Sequence, residues 1–469
     1  MNSITATTAA DLTVTDTQPI DAMAEFFVHL GELANVNTNQ ILIVSGQLLP
    51  EVMEQSVQRA VRQIPLLRTR PKGTHLRGVD TTKNQWVHYR EYSGPCDFND
   101  LDFRRLLMDF SSAHRLQWRD RPPLQVLLVN GGNGHNSCVY LSSHHGVADA
   151  RSDCLLLRAI IDHYAFLSGV AGAIEPSQSL PFAPLPKIRP DWFRPLERGR
   201  RWLRALASIS VDLLRSDKSL PVKLKGQRWE TETSDSAIGQ LDFFQSLIPK
   251  GLEARLASTA KSNGVTINTL LSTALAQLVE KTGNYRSGTL RITCAVSLRR
   301  LIDKRYDHSF RNYLIPSPIR LRAGQTTRAL VSSMHNAMAR ARSDQQVSTE
   351  LARLETLMLI LRLRPLHGLA RRLLNQCLGT NACYSNPGRI EEDFSSFGSE
   401  KHKTQSYVGF GCLVPPYDFI LYTPTVNGRM QLDLVYRRSA FRDIHEEFAA
   451  PFLDTLRSLL DELSTPPRS

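Results

Sequence analysis

No apolar run in the chain approaches the roughly eighteen residues that a membrane-spanning helix needs, which excludes a membrane-embedded protein. No Lys or Arg precedes Arg59, whereas Asp11, Asp16, Asp21, Glu25, Glu32, Glu51 and Glu54 do, so neither a cationic secretory leader nor an Arg-rich transit peptide is in view and the expected location is cytoplasmic. Cysteine is sparse: the seven (Cys96, Cys138, Cys154, Cys294, Cys377, Cys383, Cys412) form an odd set with no CxxC pair, which reads as reduced, mostly buried thiols rather than a zinc or redox site. Neither Gly nor Pro is enriched enough for a collagenous or low-complexity chain. A GxSxG elbow, a catalytic-cysteine signature and a Walker loop are all missing, so covalent serine or cysteine catalysis and P-loop phosphate binding have no footing.

What is present is a chain of 469 residues, 42% hydrophobic, enough for more than one packed core. Residues 1–19 lack apolar periodicity and read as a loose arm. Periodicity then predicts strands at 40–46, 85–90, 124–129 and 138–143 and helices at 49–63 and 151–166, a mixed sheet with covering helices over residues 20–175. Six prolines between Pro176 and Pro195 suit neither a helix interior nor a central strand, so residues 176–235 are assigned to a linker or crossover. Residues 236–469 resume the alternation, with strands at 239–244, 290–297, 381–385, 407–411, 418–422 and 430–436 and helices at 252–262, 267–281, 327–342, 349–374 and 444–463. The fold class is therefore α/β, a mixed α+β chain in two units.

Charge is concentrated. Residues 187–228 hold twelve Lys and Arg against four acidic residues, and so supply eight of the net twelve positive charges. Leu196, Leu203, Leu206, Ile209 and Leu213 recur there at helical spacing, which predicts an amphipathic helix with its leucines buried and Arg198, Arg200, Arg201, Arg204 and Arg215 in solvent. Such a face is either a solvated cover over a core or a dock for an acidic protein or an anionic membrane surface. No nucleic-acid module accompanies it.

The residues that point to chemistry are Leu141 to Ala150, LSSHHGVADA, where an apolar strand ends in His144, His145, Gly146 and, three residues on, Asp149 before a helix begins. A neutral imidazole at a strand end can take the proton of a hydroxyl or amine as that group attacks a carbonyl, and His145 is the candidate base. Asp149 can hold the turn in shape through a local hydrogen bond or a distant Arg, and His144 is expected to point elsewhere as a structural residue. The same residues also read as polar positions at a loop. A third reading is part of a two-His-one-carboxylate metal site, although His135 and His163 nearby form no familiar ligand spacing; no metal is expected.

LSSHHGVADARS resembles the HHxxxDG signature of the condensation-domain and chloramphenicol-acetyltransferase-like acyltransferase superfamily. Three further stretches are similar to its motifs in the same order: QIPLLR at Gln63 to Arg68, AVSLR at Ala295 to Arg299, and SNPGR at Ser385 to Arg389. The resemblance covers about Ile20 to Leu463. It implies two chloramphenicol-acetyltransferase-like subdomains with an active-site tunnel between them, His145 as general base, and a structural ion pair of Asp149 with Arg299. It further implies substrate contacts at Gly146, Ser385 and Asn386. The implied enzyme is an acyltransferase that binds no cofactor. It takes its acyl group from acyl-CoA or a phosphopantetheinyl thioester on an acidic carrier protein, and passes it to a small-molecule hydroxyl or amine acceptor in secondary-metabolite or lipid biosynthesis. The basic helix could serve either that carrier protein or peripheral contact with a membrane surface, and its charge alone does not choose between them. Ala150 stands where the signature has Gly. That departure keeps open a catalytically silent scaffold that binds a carrier protein.

Overall fold

The computed structural model describes residues 17–177, 179–180, 194–214, 241–282, 288–302, 308–368, 382–414 and 417–465. Its strands are β1 (Thr17–Pro19), β2 (Asn37–Ser45), β3 (Thr69–Lys72), β4 (His75–Gly78), β5 (Val87–Tyr92), β6 (Leu124–Gly131), β7 (Asn136–His144), β8 (Leu241–Leu247), β9 (Thr289–Ser297), β10 (Leu314–Arg322), β11 (Ala382–Ser385), β12 (Thr404–Phe410), β13 (Phe419–Tyr422), β14 (Thr425–Val426) and β15 (Arg429–Arg437). Its helices are α1 (Ala22–Leu33), α2 (Pro50–Arg62), α3 (Leu101–Ala113), α4 (Ala150–Leu167), α5 (Pro195–Leu214), α6 (Lys250–Ser262), α7 (Ile267–Thr282), α8 (Thr327–Ala341), α9 (Asp344–Leu361) and α10 (Ala450–Ser464). Most of the 176–235 linker, Arg215 included, lies outside the described residues, as does all but the end of the opening arm.

The chain divides into two compact units, and the division is not a single cut at the linker: the first unit takes 1–190 together with Arg299–Tyr313 and Glu391–Cys412, and the second takes the remainder. The first unit is built on a five-stranded sheet in the order β12-β2-β7-β6-β5. β6 and β7 are buried along their whole length, and β2 along all but its last residue, because these strands are covered on both faces. β5 closes one edge with an exposed Tyr-Arg-Glu run, a polar border that discourages further pairing. β12 supplies the other edge, antiparallel to β2, although some 360 residues separate the paired positions Thr404 and Val44. The same unit also holds a separate three-stranded sheet, β1-β4-β3.

The second unit carries a sheet in the order β10-β9-β11-β13-β15-β14, with β8 also paired to β15. Leu270, Leu275, Ile292, Leu321, Met334, Leu434, Phe452 and Leu456 belong to the continuous apolar core between that sheet and α6, α7, α8 and α10. β10 was not expected from the sequence, since Pro316 and Pro318 argue against a central strand; it is an edge strand, where a missing N–H is tolerated. The helix expected at 349–374 starts earlier, at Asp344, with Ser343 capping it through Gln346 N, and ends at Leu361; residues 369–374 lie outside the described residues.

Helix α5 forms, but in the opposite orientation to the expected one. Arg201 is buried and pairs with Glu355 of α9 at 2.7 Å, and Ala205 is buried beside it, while Leu196, Leu203 and Leu206 are exposed at 82%, 70% and 46%. The small side chains of Ala205 and Ser208 let the α5 backbone approach α9, and the buried Arg is tolerated because a carboxylate meets it. Among the described residues no helix is long and apolar enough to cross a membrane. Cys96, Cys138, Cys154 and Cys294 are buried free thiols; Cys383 and Cys412 are half-buried free thiols.

Candidate active site

β7 ends at His144, the chain turns through His145 to Ala148, and α4 begins at Ala150 with Asp149 as its N-cap. The turn is tight enough to demand Gly146, where a Cβ would come within 2.9 Å of His144 Nδ1. The Gly146 N–H donates to that same Nδ1 at 3.0 Å, so His144 carries its proton on Nε2. Burial, helped by the neighbouring His145 and Arg115, pushes the His144 imidazole down to about 3, and it stays neutral. His144 packs inward, its ring centroid 5.9 Å from that of Trp118.

His145 is partly exposed, whereas His144 and residues 146–149 are buried. Its backbone N–H donates to Val36 O at 2.9 Å, and its ring lies 4.4 Å from that of Phe27, centroid to centroid. Nδ1 is 2.8 Å from Ala148 O. A carbonyl can only accept, so the proton sits on Nδ1 and the lone pair is on Nε2. Asn312 Nδ2 is 3.3 Å from the same Nδ1 but directs its stronger bond, at 2.7 Å, to the His145 carbonyl. Burial lowers the pKa of His145, against the opposing pull of the Ala148 carbonyl and the Asp149 charge. The ring is therefore neutral at neutral pH, with Nε2 able to take a proton.

Both Asp149 oxygens are occupied. Oδ1 accepts from Ser152 N at 2.8 Å and Arg299 Nη2 at 2.9 Å, and Oδ2 accepts from Tyr313 N at 3.1 Å. Burial alone would raise this carboxyl, but the Arg299 charge and these hydrogen bonds outweigh it and hold Asp149 below the ordinary carboxylate range. Arg299 also donates to Ser309 O at 3.0 Å and Ser152 Oγ at 2.8 Å, with its guanidinium 4.7 Å from the Tyr313 ring centroid. Asp149 thus holds the turn and has no oxygen left for a substrate.

The segment 299–313 anchors a second helix in the same way. Arg311 pairs with Asp21, which caps α1 through Met23 N at 3.0 Å and Ala24 N at 3.1 Å. Two helix N-caps in the first unit are therefore each neutralised by an arginine from one late segment, and Asn312, next to Arg311, holds His145.

Of the residues expected at the site, His144, His145, Gly146, Asp149 and Arg299 come together in the first unit. Ser385 and Asn386 stand in the second, at the end of β11. There Asn386 Nδ2 donates to Asn268 Oδ1 at 2.7 Å, and Gly388 N donates to Asn386 Oδ1 at 2.7 Å in a turn whose Gly388 has φ of 81°. Asp21, Arg311, Asn312 and Tyr313 were not foreseen. Among the described residues no three His, Cys, Asp or Glu side chains gather as a metal ion would need.

No family model and no curated protein matches the chain. Solved structures do. The condensation domain of the monacolin K polyketide synthase MokA aligns with a TM-score of 0.65 at 13% identity, over 97% of this chain and 99% of that one. The chain has the condensation-domain fold. The first condensation domain of the calcium-dependent antibiotic synthetase, in complex with a substrate analogue, shares that fold with a TM-score of 0.66 at 16% identity, over 96% of this chain and 98% of that one. SgcC5 from Streptomyces globisporus, in a complex with (R)-(-)-1-(2-naphthyl)-1,2-ethanediol and sucrose, shares it too, with a TM-score of 0.60 at 15% identity over 96% of this chain and 100% of that one.

Proposed function

We propose that this chain is an acyltransferase that moves an acyl group from a thioester, on coenzyme A or a carrier protein, to a hydroxyl or amine. The observation that supports it most is the His145 ring, whose Nδ1 proton is held by Ala148 O and whose Nε2 is left to act. In the proposed step the acceptor oxygen or nitrogen bonds to the thioester carbonyl carbon as its proton passes to Nε2. The tetrahedral adduct then expels the sulfur, the C–S bond breaks, and the thiolate recovers the proton from the imidazolium. The products are an ester or amide and a free thiol, and no covalent enzyme intermediate or resident cofactor takes part. Asp149 and Arg299 fix the turn. Roles for Gly146, Ser385 and Asn386 in contacting substrate rest on the motif resemblance, as does the place in secondary-metabolite or lipid biosynthesis, while a cytoplasmic location rests on the acidic character of the residues before Arg59.

The partner that fits α5 is an acidic carrier protein: exposed Arg198, Arg200 and Arg204 border the exposed leucines, so both charge and apolar area are on offer. The deciding experiment incubates the protein with a panel of acyl-CoA and acyl-pantetheine thioesters and mixed alcohol and amine acceptors. Free thiol and product masses are read together. Acceptor-dependent thiol release that disappears in His145→Ala supports the proposal. Binding of acylated carrier protein with no thiol release under any combination would refute it in favour of the silent scaffold.

A further inference from the structure

One turn into α4, the carboxyl of Asp153 is buried beneath the end of β7. Its Oδ1 lies 2.5 Å from Ser143 Oγ and its Oδ2 lies 2.6 Å from Thr38 Oγ1, while the two hydroxyl oxygens are 2.8 Å from each other. All three separations are hydrogen-bond distances, so the ring requires three hydrogens. Thr38 and Ser143 carry one each. The third must ride on the carboxyl: Asp153 donates to Thr38, Thr38 to Ser143, and Ser143 back to Asp153. Were Asp153 ionised, both hydroxyls would turn toward the carboxylate and their own oxygens would face one another with no hydrogen between them.

We propose that Asp153 is a positioning residue that keeps its proton in the folded protein and so locks the second-last rung of the β2–β7 ladder, beyond whose end His145 stands. Thr38 and Ser143 are opposite one another in that ladder, followed by Asn37 opposite His144. The next contact outward is the His145 N–H to Val36 O. Loss of the proton would open the ring at Ser143, two residues before His145, and at Thr38, two residues after the Val36 that holds it.

The ionisable groups around Asp153 are Asp149 and Cys154 on its own helix, His144 and His145 at the end of β7, and Tyr407 of β12, whose hydroxyl bonds to Gln40 and lies 3.7 Å from Cys154 Sγ. Burial pushes Asp153 up to about 7 and the nearby Asp149 charge adds to it, outweighing the hydrogen bonds that Ser143, Thr38 and Gln40 could donate to an ionised carboxylate. A carboxyl raised in this way contributes its stability fully below the ordinary carboxyl range and loses it as pH rises through the folded value. The lock is therefore closed in acid and opens above neutral pH. Its catalytic consequence rests on the proposed use of His145; the proton count does not.

The test is spectroscopic and needs no substrate. Infrared difference spectra against Asp153→Asn should show a carboxylic-acid C=O band in the wild-type protein that fades through about pH 7. The 15N signals of the His145 ring, assigned by their loss in His145→Ala, should move with the same midpoint. In Asp153→Asn the amide N–H stands in for the carboxyl proton and preserves the ring, so the His145 signals should hold still over that range. Thr38→Val breaks the ring at another member and should shift the midpoint of the band, which keeps the test alive if the Asn variant does not fold. Absence of the band, an unmoved midpoint in Thr38→Val, or His145 signals that move alike in the wild type and Asp153→Asn would each overturn the proposal.

Discussion

Removing Arg299 should expose how much the site depends on one charge. Asp149 is 1% exposed, and in Arg299→Gln it would keep only the Ser152 and Tyr313 N–H groups while losing the guanidinium at 2.9 Å. A buried carboxylate stripped of its partner costs about 3 to 5 kcal/mol. For a cooperative unit of this size that is a fall of about 6 to 20 °C in Tm, at about 2 to 4 °C for each kcal/mol. The pH dependence makes the prediction specific. In the wild type Asp149 is held low, so its contribution is present above the unfolded carboxyl pKa and is lost as pH falls through the lower folded value. Without Arg299 the burial effect dominates and the folded pKa rises, so Asp149 takes up a proton at higher pH and the uncompensated charge vanishes. The deficit of Arg299→Gln against wild type should thus be largest near neutral pH and shrink on acidification. Adding Asp149→Asn to Arg299→Gln should recover part of the loss, because the charge goes with its partner. Thermal unfolding across an acid-to-neutral series, on the two single variants and the double, reads all of this. A deficit below about 1 kcal/mol, the range of an exposed pair, or one that does not vary with pH, would refute the reasoning.

His145→Ala should fold normally and lose about 10² or more in turnover, measured as acceptor-dependent thiol release. Since burial lowers the wild-type imidazole below its ordinary value, turnover should persist below that value and decline only in more acid solution, as Nε2 is protonated. Gly146→Ala places a methyl 2.9 Å from His144 Nδ1, so both Tm and turnover should fall; circular dichroism melting with the thiol assay checks the pair. Replacing Arg198, Arg200 and Arg204 with Gln should raise KM for a carrier-bound thioester and flatten its salt dependence while leaving a small soluble thioester unaffected, as screening of exposed charges requires. Arg201 is excluded from that set because it is buried against Glu355.

The centre of the first unit was legible because β6, β7 and α4 announce themselves locally: two buried apolar runs, then a helical period opened by an Asp. β10 was hidden by Pro316 and Pro318, which are compatible with a strand only at an edge, and edge position is a tertiary fact. The pairing of Asp149 with Arg299 was reachable only through the motif resemblance, since no periodicity links positions 150 apart. Asp21 with Arg311, and Asn312 with His145, had no such help; single polar residues brought together by the path of the chain leave no pattern in a window of fifteen. Helix α5 was found but turned the wrong way, because apolar and cationic residues occur on both of its faces and the choice between them was made by Glu355.

The late delivery of Arg299, Arg311 and Asn312 bears on how the protein is born. On a ribosome adding roughly 5 to 20 residues per second, the 150 positions from Asp149 to Arg299 take on the order of 8 to 30 s to emerge. Throughout that interval the nascent first unit has two helix caps without their cations, no β12 along the free edge of β2, and a His145 carbonyl without its amide donor. The His145 turn can set only when the second half of the chain is already being made. A nascent chain stalled before Arg299 would therefore be a client for chaperones rather than a finished half, and a gene fragment ending at the proline-rich linker would yield a sheet with an open border and a buried acid with no counter-charge.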